Sequence, residues 1–424
     1  MNILMMTNTY TPILGGLERS VKSFTEAYRR RGHRVIVVAP SFKGMPKREY
    51  DVVRVPAIQH FTHTDFSVRV PVPGLLRAAL KRFRPDIVHA HHPFLMGDTA
   101  LRLAAGHQAP LVFTHHTLFE QYTHYLPLKT HAVERFVMEL ATAYANLCDQ
   151  VFSPSQSVAD LLRERGVRTP IAIVPTGIKL GQFSRGDGQA FRAAMRIPED
   201  AFVVGHLGRL APEKNLEFLA RSVARFLKNE PRARFVVIGD GPSVPTLTRF
   251  FTRAGLTDRV HFTGAVSGQG LADAYRAMDV FAFASKSETQ GLVLIEAMAA
   301  RTPVVAIEAP GVREVVEDGR NGRLLPGEDP RQFAAALASV KALSPEEARA
   351  MRSAALATAK EFSMTRCADR ALALYREVST RKRRARRIEH RWSRAARRIQ
   401  IEWSVFKKTM KATGAAFNEP VASR

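Results

Sequence analysis

A chain of 424 residues with 46% hydrophobic residues and a formal net charge of +24 is too long for one ordinary core and suits two domains. Cys148 and Cys367 are its only cysteines. Without a C-x-x-C spacing they exclude a disulfide framework and a thiolate metal site, and read as idle thiols in a reducing compartment. No window reaches the ~18 apolar residues of a spanning helix, the N-terminus lacks a signal-peptide pattern, and the charge calls for an anionic partner, nucleic acid or acidic lipid.

In chain order, Met1–Met6 opens on a β-like stretch, and apolar β-branched runs then alternate with helical patterns. Strand-like runs fall at 34–38, 86–89, 111–114, 171–174, 202–205, 235–238, 260–262, 280–283 and 303–306, with amphipathic segments such as Glu18 to Arg31, Leu216 to Leu227 and Leu292 to Ala300 between them. Near-continuous apolar strands interleaved with helices predict an α/β chain with parallel sheets covered on both faces. Two doubly wound, Rossmann-like domains follow, with ligands held at the carboxyl ends of the strands in a cleft that the two domains face. The chain is punctuated at Pro175-Thr176-Gly177, where the first domain is expected to end.

Three stretches carry chemistry. Gly15-Gly16, after the first strand and before a helix, lets backbone N–H groups approach an anion; alone it reads equally as a tight turn. Gly208-Arg209 to Glu213-Lys214-Asn215 follows another strand, with Pro212 where a helix can start, and two cations beside a helix N-terminus suit a pyrophosphate leaving group. Taken alone, this too reads as a solvated basic loop. In Ser285 to Ala297 a polar loop turns into an apolar helix carrying Glu288 and Glu296, carboxylates able to hold vicinal hydroxyls, while backbone N–H groups around Gln290, Gly291 and Leu292 meet phosphates. A carboxylate inside the apolar run 292–298 requires buried partners.

Together with Pro175-Thr176-Gly177 and Gly239-Asp240-Gly241-Pro242, these elements resemble the retaining glycosyltransferase family 4 with the GT-B fold, over about residues 1–378. The resemblance implies roles. Arg209 and Lys214 stabilise the donor diphosphate, Glu288 contacts the transferred sugar, Glu296 the ribose, Gly16 closes over the phosphates, and Phe262 to Val266, with Gly264 and Val266, line the base pocket. His116 matches a histidine near the reacting sugar and the acceptor. The domain plan is 1–178 plus a returning helix of about 362–380 on the acceptor side, 179–361 for the nucleotide sugar, and a tail at 381–424. No D-x-D triplet occurs, so the nucleotide sugar is expected as co-substrate with no metal and no other cofactor, the cations doing the electrostatic work. The implied reaction is front-face substitution, the departing phosphate oxygen taking the acceptor's proton.

Within the family, Ser287 to Leu292 and His116 to Leu126 are similar to bacterial enzymes that glucosylate diacylglycerol from a UDP-sugar. Phe119, Tyr122 and Tyr125 could shape an apolar acceptor mouth or pack as helix core. Residues 380–424 hold about +11 of the charge. There Ile388, Trp392, Ala395, Ile399, Trp403, Phe406 and Met410 form one apolar helical stripe beside Arg384, Arg387, Arg391, Arg394 and Arg398, the composition of an interfacial membrane helix; docking of the stripe on the protein's own body and nucleic-acid binding by the Arg run are the two plainer readings. Arg29, Arg30 and Arg31 with Arg77, Lys81, Arg82 and Arg84 give the N-terminal domain a second basic face. The expected protein is a cytoplasmic, peripheral enzyme at the inner membrane face, moving a hexose from a nucleotide-diphosphate sugar, UDP-glucose first, to diacylglycerol or a similar lipid. The alternatives are a soluble sugar or polyprenyl-linked acceptor, and a non-catalytic sugar-nucleotide or nucleic-acid binder; no nucleic-acid partner is expected. His89, His91 and His92 read as loop histidines and not as a zinc site, because no acidic or cysteine ligand accompanies them.

Overall fold

A computed structural model describes residues 1–13, 15–46, 49–58, 68–69, 76, 80–118, 131–388, 404–405 and 407–409. The chain divides into two compact units, Met1–Gly177 with Cys367–Arg424, and Ile178–Arg366.

The first unit is built on β1 (Asn2–Met6), β2 (Arg34–Pro40), β3 (Val52–Val55), β6 (Ile87–Ala90), β7 (Leu111–Thr114), β8 (Gln150–Ser153) and β9 (Ile171–Ile173). These form one sheet in the order β3-β2-β1-β6-β7-β8-β9, parallel throughout. A small antiparallel ribbon, β4 (Ala57–Ile58) with β5 (Val68–Arg69), stands outside it. Because side chains alternate along a strand, Leu4, Met6, Val88, Ala90 and Phe113 join one buried cluster, while Ile3, Met5, Ile87 and Val112 are buried as well.

The second unit repeats the logic with β10 (Val203–Leu207), β11 (Arg234–Ile238), β12 (Val260–Gly264), β13 (Val280–Phe283), β14 (Val304–Ile307) and β15 (Gly322–Leu325). Their order is β12-β11-β10-β13-β14-β15, the Rossmann 3-2-1-4-5-6 arrangement, whose switch point lies between β10 and β13. Val204, Val237, Ala282 and Val305 face the helices Leu216–Asn229 and Pro330–Lys341. Val203, Val236, Phe281 and Ala306 face Gln269–Ala277 and Leu292–Ala299. Both faces are therefore dry, as the unbroken apolar strands require.

The helix Met364–Ile388 brings the chain back to the first unit. Cys367, Ala368, Ala371, Leu372, Tyr375 and Val378 form its buried stripe. Tyr375 is completely buried, stacks on Phe152 at 5.7 Å between ring centres, and meets His89 Nδ1 at 2.5 Å and the Tyr28 hydroxyl at 3.4 Å.

The expected tail does not begin as a separate segment at 381. The helix runs unbroken through 381–388, where Arg381 donates to Gln150 Oε1 and Lys382 pairs with Asp149 at the amino-terminal start of β8. The basic face on the first helix is also partly spent inside the unit: Arg29 donates to the Val35 and Asp51 carbonyls, and Arg31 pairs with Asp369 at 2.7 Å. Arg30, Lys81, Arg82 and Arg84 remain exposed. Arg77 and, of the tail stripe, Trp392, Ala395, Ile399, Trp403, Phe406 and Met410 lie outside the described residues, and so do Phe119, Tyr122 and Tyr125. Among the described residues no helix is long and apolar enough to cross a membrane.

Candidate functional site

In the second unit, the loops leaving β10 and β13 flank the switch point. After β10 the backbone turns at Gly208 and presents Arg209, exposed to solvent. This turn is held by the next strand's loop: Gly208 N–H donates to the Ile238 carbonyl and Leu210 N–H to the Asp240 carbonyl. Gly239 (φ +129°) passes so close that a Cβ there would stand 1.9 Å from the Gly208 carbonyl oxygen, so only glycine fits.

Pro212 does not open an α-helix. Residues Pro212–Lys214 form one 3-10 turn, and Asn215, left-handed at φ +55° and ψ +39°, breaks it from the helix that begins at Leu216. Asparagine tolerates that conformation where most residues do not. The break turns Lys214 toward β13, where its ammonium meets Glu288 Oε1 at 2.5 Å. The two loops are cross-tied, Asn215 Nδ2 donating to the Ala284 carbonyl and the Ser287 hydroxyl to the Glu213 carbonyl. Lys214 and Glu288 side chains are 17% and 19% exposed, so the pair is screened less than a surface pair while staying open to a ligand.

Beyond Glu288 the chain reaches Gln290, buried, and Gly291, left-handed at φ +70°. Gly291 starts the helix Leu292–Ala299, whose first N–H groups have no partner within the helix. Glu296 lies in that helix at 2% exposure and accepts a hydrogen bond from the Tyr275 hydroxyl at 3.0 Å, which supplies a partner for a carboxylate in an apolar run. Gly264, exposed at φ +72°, ends β12, and its carbonyl accepts from Gly239 N–H; half-buried Val266 packs on the sheet's lower cluster. Arg209, Lys214, Glu288, Gln290, Gly291, Leu292, Glu296, Gly264 and Val266 thus all belong to the carboxyl-end loops of this sheet or to the helix that one of them starts.

Sequence reasoning missed His206. It is buried one strand residue short of the turn and holds the Ala282 carbonyl through Nδ1 at 3.0 Å. Burial pushes its pKa down to about 4, helped by the Lys214 ammonium and opposed by the Ala282 hydrogen bond and Glu288. A lone histidine in an apolar strand gave no signal beyond its place just before Gly208.

In the first unit the corresponding strand ends carry Gly16 and the histidines. Gly16 is exposed and opens the helix Gly16–Arg30 behind Gly15. His116, half-buried after β7, meets His91 across 2.8 Å (His116 Nε2 to His91 Nδ1) with the rings stacked. His89 is held between Tyr375 and the Thr114 hydroxyl, and His92 Nδ1 accepts from the Asn8 N–H at 3.1 Å. These histidines are thus engaged by protein groups.

Burial pushes His89, His92 and His115 down to about 3. Each is neutral when folded yet protonates near 6.5 when unfolded, so the unfolded chain binds more protons between those values. Stability from these groups is whole above pH 6.5 and drains away as pH falls toward 3. Melting at pH 7.5 and pH 5 is expected to show a clear drop in midpoint at the lower pH; equal midpoints would contradict it.

Comparison with known proteins identifies the family and the fold. Residues 14–182 match Glycosyltransferase Family 4 and residues 201–342 match Glycosyl transferases group 1. The alpha-monoglucosyldiacylglycerol synthase of Streptococcus pneumoniae is 30% identical over 77% of this chain and 76% of its own length. That of Acholeplasma laidlawii is 29% identical, over 76% and 84%. Among solved structures, Anabaena Alr3699/HepE superposes with a TM-score of 0.70 at 22% identity, covering 89% of this chain and all of its own, and sucrose-phosphate synthase from Thermosynechococcus elongatus with 0.72 at 22%, covering 89% and 98%. The chain is a glycosyltransferase of family 4 with the GT-B fold.

Proposed function

We propose that this enzyme is a retaining hexosyltransferase that moves glucose from UDP-glucose to diacylglycerol, as a peripheral protein on the cytoplasmic face of a membrane. The observation that carries the donor half is the Lys214–Glu288 pair, set beside Arg209 at the switch point of the second unit's sheet. In the reaction Lys214 and Arg209 stabilise the diphosphate as its charge rises, Glu288 accepts a hydrogen bond from the sugar, and Glu296 one from the ribose. The leaving oxygen takes the acceptor's proton, so the positive clamp replaces both a metal and a strong base. The glucosyl group and the acceptor rest on the two alpha-monoglucosyldiacylglycerol synthase relatives, and the UDP carrier on HepE, solved with UDP-glucose.

A second donor has an observation of its own. The GDP-mannose-dependent alpha-mannosyltransferase of Mycobacterium tuberculosis is 30% identical over 76% of this chain. Thermal shift with UDP-glucose, UDP-galactose and GDP-mannose separates the donors, since a ligand at 100 times its Kd stabilises by about 2.7 kcal/mol. UDP-glucose is expected to raise the midpoint most. Radiolabelled UDP-glucose incubated with dioleoylglycerol vesicles is then expected to leave label in the organic phase, at a rate that EDTA does not change. Stabilisation by GDP-mannose alone, or label confined to water, would overturn the assignment.

A further inference from the structure

Lys408 is a buried lysine of the first unit. It comes from the C-terminal segment, yet its side chain is 2% exposed. Its ammonium pairs with Asp98 Oδ1 at 2.5 Å, donates to the Pro93 carbonyl at 3.3 Å and stands 5.2 Å from the centre of the Tyr144 ring. Val405, one turn earlier, packs against the first unit's core. A buried ammonium is costly unless fully partnered, so this anchor is specific in place and orientation.

Its partners bracket a single loop. His91 and His92 precede Pro93, and Asp98 lies in the first turn of the helix Met96–His107. The loop is strained at Leu95 (φ +58°, ψ −96°), a conformation that costs energy and persists only where neighbours enforce it. Asn8 ties it from inside, donating to the Phe94 carbonyl and accepting from Met96 N–H. Lys408 clamps it from outside. At its start, His91 N–H is bonded to the Met6 carbonyl while the His91 ring holds His116.

We infer that Lys408 is a positioning residue: by pinning Pro93 to Asp98 it fixes the loop that aims His91 at His116, making the C-terminal segment a working part of the acceptor-side site. The kinetic arm below rests on the proposed function; the spectroscopic arms do not.

The test uses the full chain with Lys408→Met, Asp98→Asn, the double variant and Lys408→Arg. In Lys408→Met, amides of residues 91–99 are expected to exchange with solvent faster by about tenfold or more, since one buried charge loses its partner, while amides of 178–366 stay unchanged. The double variant and Lys408→Arg should recover part of this protection. In histidine-¹⁵N-labelled protein the His91–His116 imidazole resonances should shift in Lys408→Met. With UDP-glucose and dioleoylglycerol vesicles, kcat should fall or KM for dioleoylglycerol rise about tenfold at constant KM for UDP-glucose. Unchanged exchange, or faster exchange with unmoved imidazole resonances, would overturn the inference. A wild-type chain without turnover counts against the proposed function alone, because exchange and resonances still decide the role of Lys408.

Discussion

Lys214→Ala is expected to lower kcat for sugar transfer by about 10²–10³, the cost of removing one preorganised group that stabilises developing charge, while the melting midpoint moves by only a few degrees. The first part follows from where the ammonium stands. It belongs to a short turn fixed by Asn215, within reach of Glu288 and on the same strand-end surface as Arg209. A nucleotide diphosphate placed there gains charge as the sugar leaves, so the interaction is stronger in the transition state than in the ground state. The second part follows from exposure, because the side chain is not in the core. Glu288→Gln keeps the shape but removes the carboxylate, and a loss of similar size is expected. Initial rates with UDP-glucose and dioleoylglycerol, beside circular-dichroism melts, read both. A Lys214→Ala enzyme with near-normal kcat would end the donor-site assignment; a variant that fails to fold would show in the melt.

The second large effect concerns the fold. Tyr375→Ala is expected to destabilise the first unit by on the order of 3–5 kcal/mol, the usual cost of deleting a fully buried aromatic side chain. Its hydroxyl also satisfies His89, and stranding a buried polar partner adds to that cost. Tyr375→Phe separates the contributions: the ring stays against Phe152 and only the hydroxyl goes, for about 1–3 kcal/mol. Urea titration followed through the first unit's transition measures both. The order Ala worse than Phe worse than wild type is required; an Ala variant as stable as wild type would mean that the returning helix is not held by this residue.

Much of this was readable beforehand because it depends on local chemistry. Unbroken runs such as Val35 to Val38 and Val280 to Phe283 have no polar face, so they specify strands covered on both sides. Gly208 and Gly239 signal backbone turns wherever they occur after a strand. Other features depend on long-range meetings. The strand Gln150–Ser153 begins on a glutamine and ends on a serine, so its pattern is weak; burial between β7 and β9 makes it a strand. The break at Asn215 overrides the helix-start signal of Pro212, because cross-ties from β13 hold the 3-10 turn. Tyr275 as partner of Glu296, Tyr375 as partner of His89 and Asp98 as partner of Lys408 join residues up to 310 positions apart, and no periodicity reports such pairs.

The return of Met364–Ile388 to the first unit bears on the order in which the molecule can be finished during synthesis. Residues 1–177 leave the ribosome early, but the stripe that caps their sheet, with Tyr375 in it, emerges only after the whole of 178–366 has been translated. At typical elongation rates that interval is roughly 10–40 s. Throughout it the nascent first half carries an uncovered apolar surface, while the contiguous second half can complete its own core without waiting. Newly made chains are therefore most dependent on holding chaperones during that window, and stop codons placed just before 367 should release a product whose N-terminal half aggregates while its C-terminal half does not.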